Sequence, residues 1–367
     1  MAVLNIHRVI ISIGQDMRRI RGRGPAFIRF PPSQSPSFGE TSQRGKRQRY
    51  HFEKTESLWG LLCALLFLIA VAGCSIRHYA LNSVSDALAQ NGSTFASDDD
   101  PDLVKAAAPF SLKLMESLLA ENPRHIGLLT AAASGFTQYA YAFVQEDADE
   151  AEPVDLAAAD ALRNRARRLY LRAQRYGLRA LEVKHPGIGK LLTENPHAAG
   201  LMTGKADVPV LYWTAAAWAS AISVSKDNPE LVGQIPAMEA LINRALELDE
   251  AYGNGAIHNF MIAYEMSRPG AAGDPAQRAR KHFERAMALS KETDASPLVS
   301  LAESVTIQQQ NLKEFESLLN RALAINVDAN PENRLVNAVM QRRAQWLLSR
   351  KAELFLGEPA PDAAPSN

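Results

Sequence analysis

The chain has 367 residues, 47% of them hydrophobic and 22% charged, an ordinary globular composition with enough apolar mass for one large domain or two small ones. Its 40 basic and 40 acidic residues cancel, but not evenly: residues 1–57 hold eleven Lys/Arg against four Asp/Glu, and the remainder holds 29 against 36. An acidic remainder excludes a basic nucleic-acid surface there, and two cysteines, Cys63 and Cys74, exclude a disulfide framework and a cysteine zinc site.

Residues 1–50 are arginine-rich, carry Pro25, Pro31, Pro32 and Pro36, and show neither helical nor strand periodicity. They read as an extended signal head or as residues upstream of the true translation start, and stand outside the fold. From Leu58 to Ala72 runs an apolar stretch of about fifteen residues behind Arg44, Lys46, Arg47, Arg49 and Lys54, which suits a cleaved secretory signal better than a bilayer span of roughly twenty. It ends in Val71-Ala72-Gly73-Cys74, which resembles a bacterial lipobox. That resemblance implies cleavage after residue 73 and acylation of Cys74 with fatty chains such as palmitate. With Ser75 next, it also implies sorting to the inner leaflet of the outer membrane, facing the periplasm. More than one acyl chain anchors stably, at about 0.8 kcal/mol per buried CH₂. The competing reading is a short membrane helix with a chance cysteine.

Residues 74–100 follow as a flexible tether, with Gly92-Ser93 and the acidic run Asp98-Asp99-Asp100. The folded domain is expected over 101–356, and 357–367 as a disordered tail. A capping residue followed by proline recurs at Asp100, Asn122, Asn195, Asn228, Asp274, Ser296 and Asn330. Short polar side chains accept from the free N–H groups of a helix start, and proline fits the first helical position because its missing N–H had no partner. Between these signals, Met238, Leu241, Ile242, Ala245 and Leu248 keep helical spacing, as do Leu312, Phe315, Leu318, Leu319, Ala322 and Leu323. Residues 155–183 read as one helix of about eight turns. No run alternates with a period of two, so the fold class is all-α.

Four segments end alike: Arg179-Ala180-Leu181, Arg244-Ala245-Leu246, Arg285-Ala286-Met287 and Arg321-Ala322-Leu323. The alanines lie 65, 41 and 36 residues apart, and Ala279, Phe283 and Ala286 match the second helix of a tetratricopeptide unit. Small residues let one helix sit against the next, so stacked antiparallel helix pairs, a tetratricopeptide-like solenoid, are expected; a plain helical bundle explains the same pattern.

Asp207-Val208-Pro209-Val210-Leu211-Tyr212-Trp213, then Ser225-Lys226-Asp227-Asn228-Pro229, then Tyr252-Gly253-Asn254-Gly255-Ala256-Ile257-His258 stand in order. Arg268-Pro269-Gly270, Ala279 to Leu289, and Asn330-Pro331-Glu332-Asn333-Arg334-Leu335 follow them. Together they resemble the T-component family of TRAP transporters across roughly residues 74–356. The resemblance implies a periplasmic, lipid-anchored, tetratricopeptide-type homotrimer. Its partner would be the solute-binding subunit of the transporter, and its ligand a hydrophobic or organic-acid-like solute. The alternative is an outer-membrane or cell-wall assembly lipoprotein of tetratricopeptide type.

No His-Glu-x-x-His, Gly-x-Ser-x-Gly, Walker or dinucleotide pattern occurs, so no catalytic residue, metal or cofactor is expected. An envelope hydrolase whose residues meet only in space is the third possibility. Acidic pairs such as Asp147/Glu150 and Asp249-Glu250 read as solvated helix ends and a loop. The candidate ligand- or partner-binding residues are Tyr212, Trp213 and Trp218, amid Ala215, Ala216, Ala217, Ala219 and Ala221, where aromatics beside small residues wall a cavity or pack as core. Gly253-Asn254-Gly255 reads as a break before the next helix, on which His258 and Glu265 share a face and line a polar patch or serve structure. The last helix is expected from Asn333 to about Phe355, presenting Trp346, Leu347 and Phe355 to seal the stack or to meet another copy.

Overall fold

The computed structural model describes residues 92–356, together with Ser83, Asp86 and Ala87; the expected signal, the Cys74 attachment site, most of the tether and the expected tail lie outside the described residues. Among the described residues all regular structure is helical. The helices are α1 (Gly92–Ala96), α2 (Pro101–Glu121), α3 (Ile126–Ala140), α4 (Glu146–Ala151), α5 (Leu156–Lys184), α6 (Ile188–Glu194), α7 (Pro196–Leu201) and α8 (Val208–Ser223). Then follow α9 (Pro229–Val232), α10 (Ile235–Leu248), α11 (Ala256–Glu265), α12 (Pro275–Leu289), α13 (Ser296–Leu301), α14 (Leu312–Leu323), α15 (Arg334–Ser349) and α16 (Lys351–Leu354). Two π-helical turns interrupt this order, Tyr141–Gln145 after α3 and Ala302–Thr306 after α13.

The Asx-Pro signals begin helices where expected at Asp100, Asn195, Asn228 and Asp274, whose side chains accept from N–H groups of the first turn. Asn330 caps a short 3₁₀ turn, Pro331–Asn333, that leads into α15. Asn122-Pro123 behaves otherwise. Asn122 closes α2, its N–H bonded to the Leu118 carbonyl, and α3 is capped by His125, whose Nδ1 accepts from Leu128 N–H at 3.1 Å. Ser296 is the first residue of α13, so the helix begins one place earlier than a Ser296 cap implies, and Asp294 accepts the Ser296 N–H at 2.8 Å. The final helix is also broken: α15 stops at Ser349 and a separate turn, α16, carries the chain on to Phe355. The end of the expected tether is ordered as α1, which packs on α15.

The middle of the domain is built on α5. Its buried positions Ala159, Ala166, Tyr170, Ala173, Gly177, Ala180 and Leu181 repeat at three, four or seven residues, one stripe along the helix. Nearly all are small, so α3 and α8 can both lie close against it. The tightest point is Gly177, where a Cβ would stand 2.1 Å from Thr214 Oγ1 and 3.2 Å from Thr214 Cα of α8. Helix α8 is packed on α3, α5 and α10, and α11, α12 and α13 pack on one another beyond.

The four similar endings fall in the last turns of α5, α10, α12 and α14, and Ala180, Ala245, Ala286 and Ala322 are all buried. They mark a shared way of docking a helix end. A regular tetratricopeptide period does not emerge from it, since the helices run from 4 to 29 residues.

Helix α15 packs on α13 and α14 but also on α1 and α2, which closes the series of helices on itself. Arg334 donates to the Ser97 carbonyl at 3.1 Å, Arg342 pairs with Glu150 at 2.8 Å, and Arg343 with Asp149 at 3.0 Å.

Candidate functional site

Helix α8 has one side that no neighbour covers fully. Tyr212, Trp213, Ala219 and Ser220 are half-buried and Ser223 is exposed, while Thr214, Ala215, Ala217, Trp218, Ala221 and Ile222 are buried. At about 100° per residue the first set falls along the two margins of a stripe centred on Ala216, which is itself buried. Its two ends differ in chemistry.

The first end is aromatic. The Tyr212 ring stands 4.9 Å from Trp213 and 5.4 Å from Tyr252, whose phenol bonds the Trp213 side chain. Desolvation pushes the Tyr212 phenol above the usual tyrosine range, with Tyr252 and Asp294 adding to it. Trp218 lies elsewhere, 5% exposed, with its Nε1 donating to Gln234 Oε1 at 2.9 Å. It is core.

The second end begins at Ser220, eight residues beyond Tyr212 and about 12 Å along the axis. Its hydroxyl meets Tyr170, a fully buried phenol that donates to Gln145 Oε1 at 2.7 Å. Gln145 closes the first π-turn, and next to it come Glu146 and Asp149 of α4. Facing them is Arg343 of α15, held through Nη2 by Asp149 and by Glu303, which lies in the second π-turn. The Arg343 guanidinium carbon sits 4.4 Å from the Trp346 ring centroid. π-Turns insert an extra residue into a helix and recur at functional sites; here the second holds Glu303 and the first directly precedes α4, which carries Asp149.

The charges of this end are unbalanced. Burial pushes the Glu146 carboxyl up to about 8; Arg343 opposes this, and Glu303, Asp149 and Glu150 reinforce it. Asp149 is raised by burial too, against Arg343. Burial lowers the Arg343 pKa, but Glu303, Tyr141 and Glu146 outweigh it and hold the guanidinium charged. Tyr141 keeps 38% of its surface accessible although desolvation, with Glu146 and Glu303, pushes its phenol above the usual range.

His258 and Glu265 are both buried on α11 but do not form one patch. His258 Nδ1 lies 2.9 Å from His282 Nδ1 of α12, and its Nε2 is 3.3 Å from Glu250. Glu265 is clamped by Arg268 at 2.8 Å and Arg278 at 2.5 Å. Each is answered by neighbours in the fold, which is how structural groups sit. The break before α11 forms as expected, with Gly253, Asn254 and Gly255 all at positive φ. Among the described residues, no three His, Cys, Asp or Glu stand where they could hold a metal.

The sequence profile of the TRAP transporter T-component matches residues 97–355, from the residue after α1 to the end of the described chain. The chain belongs to that family. A T-component is an accessory subunit of a TRAP transporter, which decides against the cell-wall assembly reading. An uncharacterized protein of Treponema pallidum (strain Nichols) is 30% identical over 315 residues, covering 80% of this chain and 98% of that protein. Among the described residues of this T-component, no helix is long and apolar enough to cross a membrane.

The residues of the polar end were not picked out from the sequence. The acidic run before α5 read as solvated, yet Glu146 is buried, Asp147 pairs with Lys105 at 2.8 Å and Glu150 with Arg342. Asp249-Glu250 does stand at a helix end, with Asp249 the C-cap of α10 and Glu250 exposed, and there Glu250 pairs with Arg285. Their partners lie 42, 192 and 35 residues away, out of reach of any local pattern. One signal was present. A run of five acids in seven residues, Glu146 to Glu152, directly continues an apolar helix with no capping residue between them.

Proposed function

We propose that this accessory subunit works in the periplasm, tethered to the outer membrane through acylated Cys74, where it binds the solute-binding subunit of its transporter and offers its interior to the transported solute. The observation that supports a ligand path is the half-open side of α8, aromatic at Tyr212 and Trp213 and polar at Ser220. Aromatic walls with a few convergent polar groups are what small-molecule sites share. The homotrimer implied by the family resemblance places three such interiors together.

Crosslinking in the native envelope followed by affinity capture of the full-length protein tests this reading. Mass spectrometry of the captured material is expected to yield a solute-binding subunit and an N-terminal peptide beginning with a triacylated Cys74. An unmodified Cys74 removes the anchor; capture without any solute-binding subunit removes the partnership.

A further inference from the structure

Helix α5 carries a second feature, on the side turned away from its buried stripe. From Ala161 to Leu181 it holds seven arginines and no acidic residue, in a chain whose residues beyond 57 hold 29 basic against 36 acidic. Arg165, Arg168, Arg172, Arg175 and Arg179 follow one another at three or four residues. At about 100° and 1.5 Å per residue they fall within about 80° of one another and form a row about 21 Å long. Arg165, Arg168 and Arg175 are exposed, and Arg172 and Arg179 are half-buried.

The fold does not neutralise this row. Arg172 reaches Glu116 of α2 at 3.5 Å, but among the described residues Arg165, Arg168, Arg175 and Arg179 stand in no ion pair. Arginines on other helices are matched, Arg244 with Glu247, Arg285 with Glu250 and Arg350 with Glu353. Like charges three and four residues apart repel, so the row opposes the helix that carries it. A face that serves only solvation interleaves the two signs and avoids this. Two members are also held in place by aromatic rings. Arg165 donates to the Tyr139 hydroxyl at 3.3 Å and lies 5.8 Å from that ring's centroid, and Arg172 lies 5.3 Å from the centroid of Phe136.

Planar guanidinium forks at fixed spacing suit a surface of carboxylates, and side chains already held lose less freedom on meeting it. A helix that lies on a bilayer inserts apolar side chains beside its cations, and here the exposed large apolar residue of α5 is Leu156, at its very start. A second copy facing the row symmetrically brings the same charge and is repelled. We propose that the arginine row of α5 is the docking surface for an acidic face of the solute-binding subunit. This rests on the reading of the chain as that subunit's partner and gives the contact its place and its charge.

The test uses the full-length protein in detergent micelles and the solute-binding subunit recovered from the envelope by affinity capture. Association rates are measured between about 50 and 500 mM sodium chloride for wild type and for Arg168→Gln, Arg175→Gln and Arg179→Gln combined. Wild type is expected to slow at least tenfold across that range. The combined variant is expected to start at least tenfold slower and to lose most of the salt dependence. Its melting temperature is expected to equal or exceed wild type, because repulsion along α5 is relieved. Lys190→Gln, Lys313→Gln and Arg321→Gln combined, which remove three exposed cations elsewhere, are expected to change the rate less than threefold. Arg175→benzoylphenylalanine, irradiated in the native envelope, is expected to crosslink to an acidic segment of the subunit. The proposal falls if the α5 variant associates as fast as wild type, if the distant triple variant slows association as much, or if the crosslink goes to lipid or to a second copy. Wild type that binds no solute-binding subunit ends the partnership and the proposal together, whereas undiminished binding by the α5 variant ends the proposal alone.

Discussion

Glu146 is a carboxyl that the fold keeps protonated well above the pH at which the unfolded chain would release the proton. A raised acid favours the native state least where both states would be ionised. Between about pH 4.5 and 8 the native state binds more protons than the unfolded one, so this group makes stability fall as pH rises, with the loss complete above pH 8. Glu146→Gln is therefore expected to leave the melting temperature near wild type at pH 5 and to raise it at pH 8.5; each kcal/mol relieved is worth about 2–4 °C in a domain of this size. Equal melting temperatures at both pH values contradict the buried, neutral carboxyl. Glu265 is the opposite case. Its pKa is lowered, burial being outweighed by Arg278 and Arg268, so its contribution is present above about pH 4.5 and is lost as acid titrates it. Glu265→Ala is expected to cost about 1–3 kcal/mol in urea unfolding at pH 7, discounted because both arginines are partly solvated. The two tryptophans of α8 separate in the same assay. Trp218→Ala, which empties a core position and strands Gln234, is expected to cost about 3–5 kcal/mol, and Trp213→Ala, on the half-open side, far less. Equal losses put Trp213 in the core.

At the scale of the element, helix existence was legible because it depends on neighbours in sequence. Proline after an Asx, periodic apolar positions and the absence of alternation need only a few residues to express themselves, and α5 came out over nearly its true length. Where a boundary was misplaced, the local bonding differed from the expected cap: Asn122 closes α2 through its own N–H, and Ser296 is a first-turn residue whose N–H is bonded by Asp294. The π-turns left no mark in the proline and periodicity patterns by which the helices were read. The approach of α5 to α8 is a further case, since Gly177 reads as an ordinary interruption until Thr214 is placed against it. Gly177→Val is expected to force the two helices apart and to cost about 1–3 kcal/mol or more, measured as a lower denaturation midpoint with unchanged slope. A neutral effect shows that the helices are not in contact there.

At the scale of the molecule, the candidate site was half legible. Tyr212 and Trp213 announced themselves because aromatics amid alanines are unusual in composition. The Arg343 group did not, since its members come from three separated stretches of chain, around Glu146, at Glu303 and on α15. Open arrays of helices fray from their ends, each unit leaning only on its neighbours. Here the last long helix leans on the first, and a weakness at one end is felt at the other. Arg342→Ala together with Arg334→Ala is expected to speed amide hydrogen exchange in α2 and α4 as well as in α15, with little change in α7 or α10. Acceleration confined to α15 means the two ends are not coupled.

That closure has a consequence for a chain synthesised from its N-terminus. The residues that lock α15 to Ser97 and Glu150 stand 237 and 192 positions apart, so the early helices wait, without their final partner, until almost the whole polypeptide has been made. The keystone of the fold is among the last parts to leave the ribosome.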